Sequence, residues 1–195
     1  MSLQPDFASA LLERITAHCK QLMGHFLDEL GENVDIIKIG DDLGTRENLM
    51  ISPRMYRNLL KPFHADLISM IKSRTDAKVF FHSCGDVEPL IGDFIDIGVD
   101  ILNPIQTSTG AISDLPQLKQ KYGKNMVFCG GIDTHHILPY GTVDDVRREV
   151  RRVMKTLGPG GGCLIGPVHT VMDNVPAENV LAMVDAVKEF GDYPL

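Results

Sequence analysis

The sequence predicts an α/β fold built on a parallel sheet. Stretches with helical apolar spacing alternate with short, β-branched apolar runs. Each run stops at a loop rich in glycine or polar residues. Such alternation packs helices against parallel strands. Right-handed crossovers then leave two architectures, an open doubly wound sheet or part of a (β/α)8 barrel.

Each element has its own signal. Residues 5–30 carry Phe7, Leu11, Leu12, Ile15, Leu22, Phe26, Leu27 and Leu30 at helical spacing, and Gly31 closes that helix. Residues 34–39 form the first strand, which stops at Gly40-Asp41-Asp42-Leu43-Gly44. Ser52-Pro53 sets an N-cap residue before a first-turn proline, so a helix runs to about Lys72. The second strand spans 78–81 and ends in His82-Ser83-Cys84-Gly85. A helix over 87–97 closes at Gly98, and the third strand, 100–102, precedes Asn103-Pro104. A helix over 113–122 closes at Gly123, and the fourth strand, 126–129, precedes Gly130-Gly131-Ile132-Asp133. Thr142-Val143-Asp144-Asp145 opens a helix to Leu157 that Gly158-Pro159 stops. The fifth strand is 163–165 and the last helix 176–190. The order is one helix followed by five βα units, in a single domain over 1–195.

Composition narrows the function classes. With 44% hydrophobic residues among 195, the chain has material for one core. No apolar run approaches the roughly 20 residues of a membrane span. The first residues lack a basic-then-apolar signal, so a cytoplasmic location is expected. A net charge of −7 argues against a nucleic-acid surface. Arg147, Arg148, Arg151, Arg152 and Lys155 are interleaved with Asp144, Asp145 and Glu149, the pattern of a solvated helix face. Cysteines 19, 84, 129 and 163 have no CxxC pairing, so free thiols or metal ligands are expected rather than a disulfide framework. Gly160-Gly161-Gly162 precedes a strand, whereas phosphate-binding loops follow one.

Ligands of parallel α/β folds collect at the carboxyl ends of the strands. The five ends offer Asp41 and Asp42, then His82 and Cys84, then Asn103 and Gln106, then Cys129 and Asp133, and finally His169. Asp41, Asp42 and Asp133 are the candidate catalytic groups. Gln106, Asn103 and His135 are the candidate substrate-binding groups. His82 and Cys84 stand two apart, so on an extended strand both side chains face the same side. Imidazole and thiolate are both zinc ligands, and a catalytic zinc takes three protein ligands plus an open position. His169 is the expected third ligand. Three readings stand for the pair: polar groups lining a pocket, metal ligands, or a cysteine nucleophile. Cys129 and Cys163, inside apolar strands, read as buried inert thiols.

Several motifs together resemble the uroporphyrinogen decarboxylase superfamily. They are Ile39-Gly40-Asp41-Asp42-Leu43-Gly44, Ile51-Ser52-Pro53-Arg54-Met55-Tyr56, Lys61-Pro62-Phe63-His64 and Phe80-Phe81-His82-Ser83-Cys84-Gly85. Asp100-Ile101-Leu102-Asn103-Pro104, Gly130-Gly131-Ile132-Asp133-Thr134, Gly166-Pro167-Val168-His169 and Pro176-Ala177-Glu178-Asn179-Val180 continue the likeness. It covers about residues 5–190. The resemblance implies a (β/α)8 barrel of roughly twice this length, of which the chain matches the C-terminal part, with about five strands. Such a piece leaves two open sheet edges, so pairing with a second copy is expected.

The resemblance also implies alternatives for function. One branch of the superfamily comprises zinc-dependent methyltransferases that draw on a methylcobamide and activate a thiol. His82 and Cys84 match its H-x-C element, but His169 stands where that branch has a third cysteine, which leaves the site less negative. The other branch decarboxylates porphyrinogens without a cofactor. It usually carries a glycine-rich stretch where this chain has Ser83-Cys84, and its catalytic aspartate lies in the part the chain does not match. The leading expectation is a corrinoid-linked methyltransferase with Zn2+ on His82, Cys84 and His169, acting on a thiol or methoxy compound. The alternatives are a uroporphyrinogen decarboxylase and an inactive partial barrel that binds a tetrapyrrole or a corrinoid protein.

Overall fold

The computed structural model describes residues 3–192. Helix α1 (Pro5–Leu30) leads into strand β1 (Ile36–Gly40). A helical stretch follows in three parts: α2 (Pro53–Met55), a π-helical turn (Tyr56–Leu60) and α3 (Lys61–Lys72). The Ser52 side chain accepts the Met55 N–H and so caps α2 as its sequence predicts. Then come β2 (Lys78–His82), α4 (Ile91–Asp96), β3 (Ile101–Ile105), α5 (Leu115–Tyr122) and β4 (Val127–Ile132). The short α6 (Ile137–Tyr140), α7 (Val143–Leu157), β5 (Cys163–Pro167) and α8 (Ala177–Phe190) complete the order.

All five strands are parallel and lie in sequence order, β1-β2-β3-β4-β5. That order excludes the doubly wound sheet, whose strand order reverses at a switch point. A sheet wound in one direction only is part of a (β/α)8 barrel. Side chains alternate across it. Ile37, Val79, Phe81, Leu102 and Phe128 join the core with Ile68, Phe94, Leu118, Val150 and other helix residues. Lys38, Phe80, His82, Ile101, Asn103, Val127, Cys129 and Leu164 share the opposite face, the one a closed barrel would enclose.

The boundary differences that bear on the site sit at the strand ends. β3 and β4 run three residues beyond the expected 102 and 129, through Asn103-Pro104-Ile105 and Gly130-Gly131-Ile132. Proline and glycine read as strand terminators, yet β4 is paired on both sides and pairing overrides local propensity. Pro104 has no N–H to donate, and the β3–β4 register shifts between Leu102 and Ile105. α6 lacked any sequence signal because it is a single turn. α7 begins with a full capping box, Thr142 with Asp145. Its basic residues are largely paired, Arg148 with Asp145, Arg152 with Glu149, and Arg147 with Glu189 across to α8. Among the described residues no helix is long and apolar enough to cross a membrane.

Candidate metal centre

The carboxyl ends of β1 and β2 build the site. Gly40 pairs with His82 in register, and a Cβ on Gly40 would lie 2.6 Å from the His82 carbonyl oxygen. Only glycine permits that approach. The two following loops are equally close, since a Cβ on Gly85 (φ 85°) would lie 2.4 Å from the Gly44 carbonyl carbon. Between them the buried Ser83 hydroxyl accepts the Leu43 N–H at 3.1 Å. The β1 and β2 loops are thus fastened together, and Asp42 is held over Cys84.

His82 Nε2 lies 3.3 Å from Cys84 Sγ and 3.9 Å from Asp42 Oδ1. Asp42 Oδ1 also accepts the Cys84 N–H at 3.0 Å. One donor atom from each of Asp42, His82 and Cys84 falls within 4.8 Å of the others. Zinc bonds of about 2.0–2.3 Å give tetrahedral edges of roughly 3.3–3.8 Å. The two separations from His82 are close to that size, and the Asp42 and Cys84 donor atoms lie within 4.8 Å of each other, so the three groups can converge on one zinc ion. Lys38, Ile39, Gly40, Asp41, Asp42 and His82 line an open cleft of about 530 Å³ beside them.

Electrostatics favour the protonated thiols. Burial pushes the Cys84 thiol pKa up and the Asp42 carboxylate adds to the rise, while Lys38 opposes it. Burial also raises Cys129, against the Asn103 hydrogen bond and Lys38. Cys129 is only half-buried, and it faces the site rather than the core.

The predicted residues divide into groups. Asp42, His82 and Cys84 come together. His169 is exposed on the loop after β5 and is not part of that cluster. Asn103 contacts His82, with Oδ1 2.6 Å from Nδ1. Gln106 is buried, and its Oε1 accepts the Gly85 N–H at 3.1 Å, which steadies the β2 loop. Asp133 is buried and accepts the N–H of the exposed His135 at 2.8 Å. Asp41 turns away from Asp42 towards His64 of α3, 3.4 Å from its Nε2. His64 Nδ1 in turn lies 3.3 Å from the hydroxyl of Tyr56. Neither Tyr56 nor His64 was expected at the site. Their eight-residue spacing on a helix was the available signal, and the π turn between them obscures it.

The family model for uroporphyrinogen decarboxylase (URO-D) matches residues 1–190. This chain belongs to the URO-D family. A uroporphyrinogen decarboxylase from Coxiella burnetii is 22% identical over 191 residues, covering 96% of this chain and 48% of the relative. One from Chlorobium phaeobacteroides is 23% identical, covering 97% of this chain and 51% of the relative. Among solved structures, a methyltransferase from Methanosarcina mazei superposes with a TM-score of 0.65 at 26% identity. That match covers 82% of this chain and 43% of the methyltransferase. The chain therefore spans about half the length of the URO-D relatives it matches, in agreement with a partial barrel.

Proposed function

We propose that this chain carries the metal-holding part of a URO-D-family methyltransferase that transfers a methyl group between a corrinoid and a small thiol or methoxy compound. The observation that supports this reading is the convergence of donor atoms of Asp42, His82 and Cys84 within 4.8 Å of one another, with His82 Nε2 3.3 Å from Cys84 Sγ and 3.9 Å from Asp42 Oδ1. Asp42, His82 and Cys84 would hold Zn2+, with the cleft beside Lys38 and Asp41 left for the substrate. When bound, zinc supplies Lewis acidity that lowers the pKa of a thiol or polarises an oxygen. Asp42 and Cys84 would together carry two negative charges, so a carboxylate restores the charge that His169 does not supply. Lys38 sets a positive charge in the cleft close enough to oppose the rise at both thiols.

Metal titration of the purified chain tests this. One equivalent of zinc should bind, Cys84→Ser and Asp42→Asn should each weaken it at least ~10-fold, and His169→Ala should leave it unchanged. No stoichiometric metal, together with unchanged stability of Cys84→Ser, overturns the reading. The names of the curated relatives favour a second reading, decarboxylation of a porphyrinogen. It predicts porphyrinogen turnover that chelators do not affect.

A further inference from the structure

We infer that Asn103 is the positioning residue that fixes the ring and tautomer of His82, and that Cys129 anchors Asn103 in turn. This rests on the metal reading for its purpose but not for its geometry. Asn103 Oδ1 stands 2.6 Å from His82 Nδ1. An amide oxygen only accepts, so Nδ1 carries the proton and donates. The lone pair of a neutral ring is then left on Nε2, the atom that faces Cys84 Sγ and Asp42 Oδ1. A ligating histidine needs this arrangement, with one nitrogen held by an acceptor and the other free.

The amide has a partner on each side. Asn103 Nδ2 donates to Cys129 Sγ at 3.4 Å, and the reversed amide, with its NH2 on Nδ1 and the thiol S–H on its oxygen, is the alternative that the tautomer of His82 distinguishes. The main chain adds to the hold, since the Asn103 carbonyl accepts the Ser83 N–H at 2.8 Å. His82 and Asn103 are also direct register partners of β2 and β3. Asn103 thus reaches the site from a neighbouring strand with both ends of its amide engaged. That places it behind His82, in contrast to the substrate-binding role its strand-end position suggests.

Nitrogen-15 NMR of the metal-free full chain tests the tautomer directly. Wild-type His82 should carry its proton on Nδ1, and Asn103→Leu should lose that preference. Cobalt(II), followed by its thiolate charge-transfer band, should bind Asn103→Leu ~10–100-fold more weakly than wild type. Asn103→Asp, which keeps an acceptor at that point, should restore most of the loss. Cys129→Ala should give a smaller loss, and it serves where Asn103→Leu does not fold. A proton on Nε2 in the wild type, or an unchanged tautomer and affinity in Asn103→Leu, overturns the inference. If the wild type takes up no cobalt, the metal reading falls while the NMR result still decides the role of Asn103.

Discussion

His64 Nε2 lies 3.4 Å from Asp41 Oδ2, so the two adjacent carboxylates of the β1 loop face different partners. Asp41 turns to α3, and Asp42 turns to the His82-Ser83-Cys84 loop. The Tyr56 ring is fully buried beneath His64, and burial pushes its hydroxyl pKa well up, with Asp93 and Asp41 adding to the rise. The Asp41 carboxylate only accepts, so the His64 Nε2–H faces it, and Nδ1 of the neutral ring then accepts the hydrogen bond of the Tyr56 hydroxyl.

Removing that donor should cost stability without touching the metal ligands. Tyr56→Phe loses one largely buried hydrogen bond, about 1 kcal/mol. His64→Ala also removes a ring packed edge-on to Phe81, for about 2 kcal/mol in all. Urea unfolding measures both. Zinc uptake should stay one-to-one in each, because Asp42 is held by Cys84 and not by His64.

Cys84 should alkylate slowly at neutral pH in the metal-free chain. The thiolate is the reactive form, and the Cys84 pKa is raised from the ordinary 9.0 by burial and by Asp42. A raised pKa moves the rate profile to higher pH. Asp42→Asn removes one cause, so its profile should shift back to lower pH. Iodoacetamide labelling mapped by mass spectrometry separates Cys84 from Cys129. Zinc should protect Cys84.

Asn179 should matter more to stability than its place at a helix start suggests. It is buried, and its Nδ2 donates to the carbonyls of Leu138 and Gly141 at 2.9 and 2.8 Å. These bonds tie the first turn of α8 to the α6 segment. Asn179→Ala leaves both carbonyls short of a donor and should cost about 2–3 kcal/mol by thermal or urea unfolding.

The chain is expected to self-associate through α1. Phe7, Leu11, Ile15, Leu22, Phe26 and Leu30 are exposed along one side of that helix, and β1 and β5 are open sheet edges. Self-pairing is the arrangement that covers this stripe when only copies of the chain are present. Sedimentation of the purified chain should show a dimer or larger, and Leu11→Glu with Leu22→Glu should reduce it. A monomer throughout the micromolar range counts against this expectation.

Most of the fold was legible because it rests on local signals. Ser52-Pro53 and the Thr142–Asp145 box start their helices where expected. The ends of β3 and β4 were not legible, because Pro104 and the glycine pair at 130 and 131 oppose strand structure locally and only sheet pairing overrides them. The same limit applies to Cys129, read as a buried thiol, whose contact with Asn103 depends on the pairing of β3 with β4.

By itself the sequence determined the βα alternation, the rim that collects polar groups, and the pairing of His82 with Cys84. A two-residue spacing on a strand is a local property of the chain. Only the tertiary structure decided which third group joins them. β1 lies next to β2, so Asp42 reaches His82, whereas β5 lies three strands away, roughly 14 Å along the sheet. Strand order is a long-range property, and it brings Asp42 rather than His169 beside His82 and Cys84.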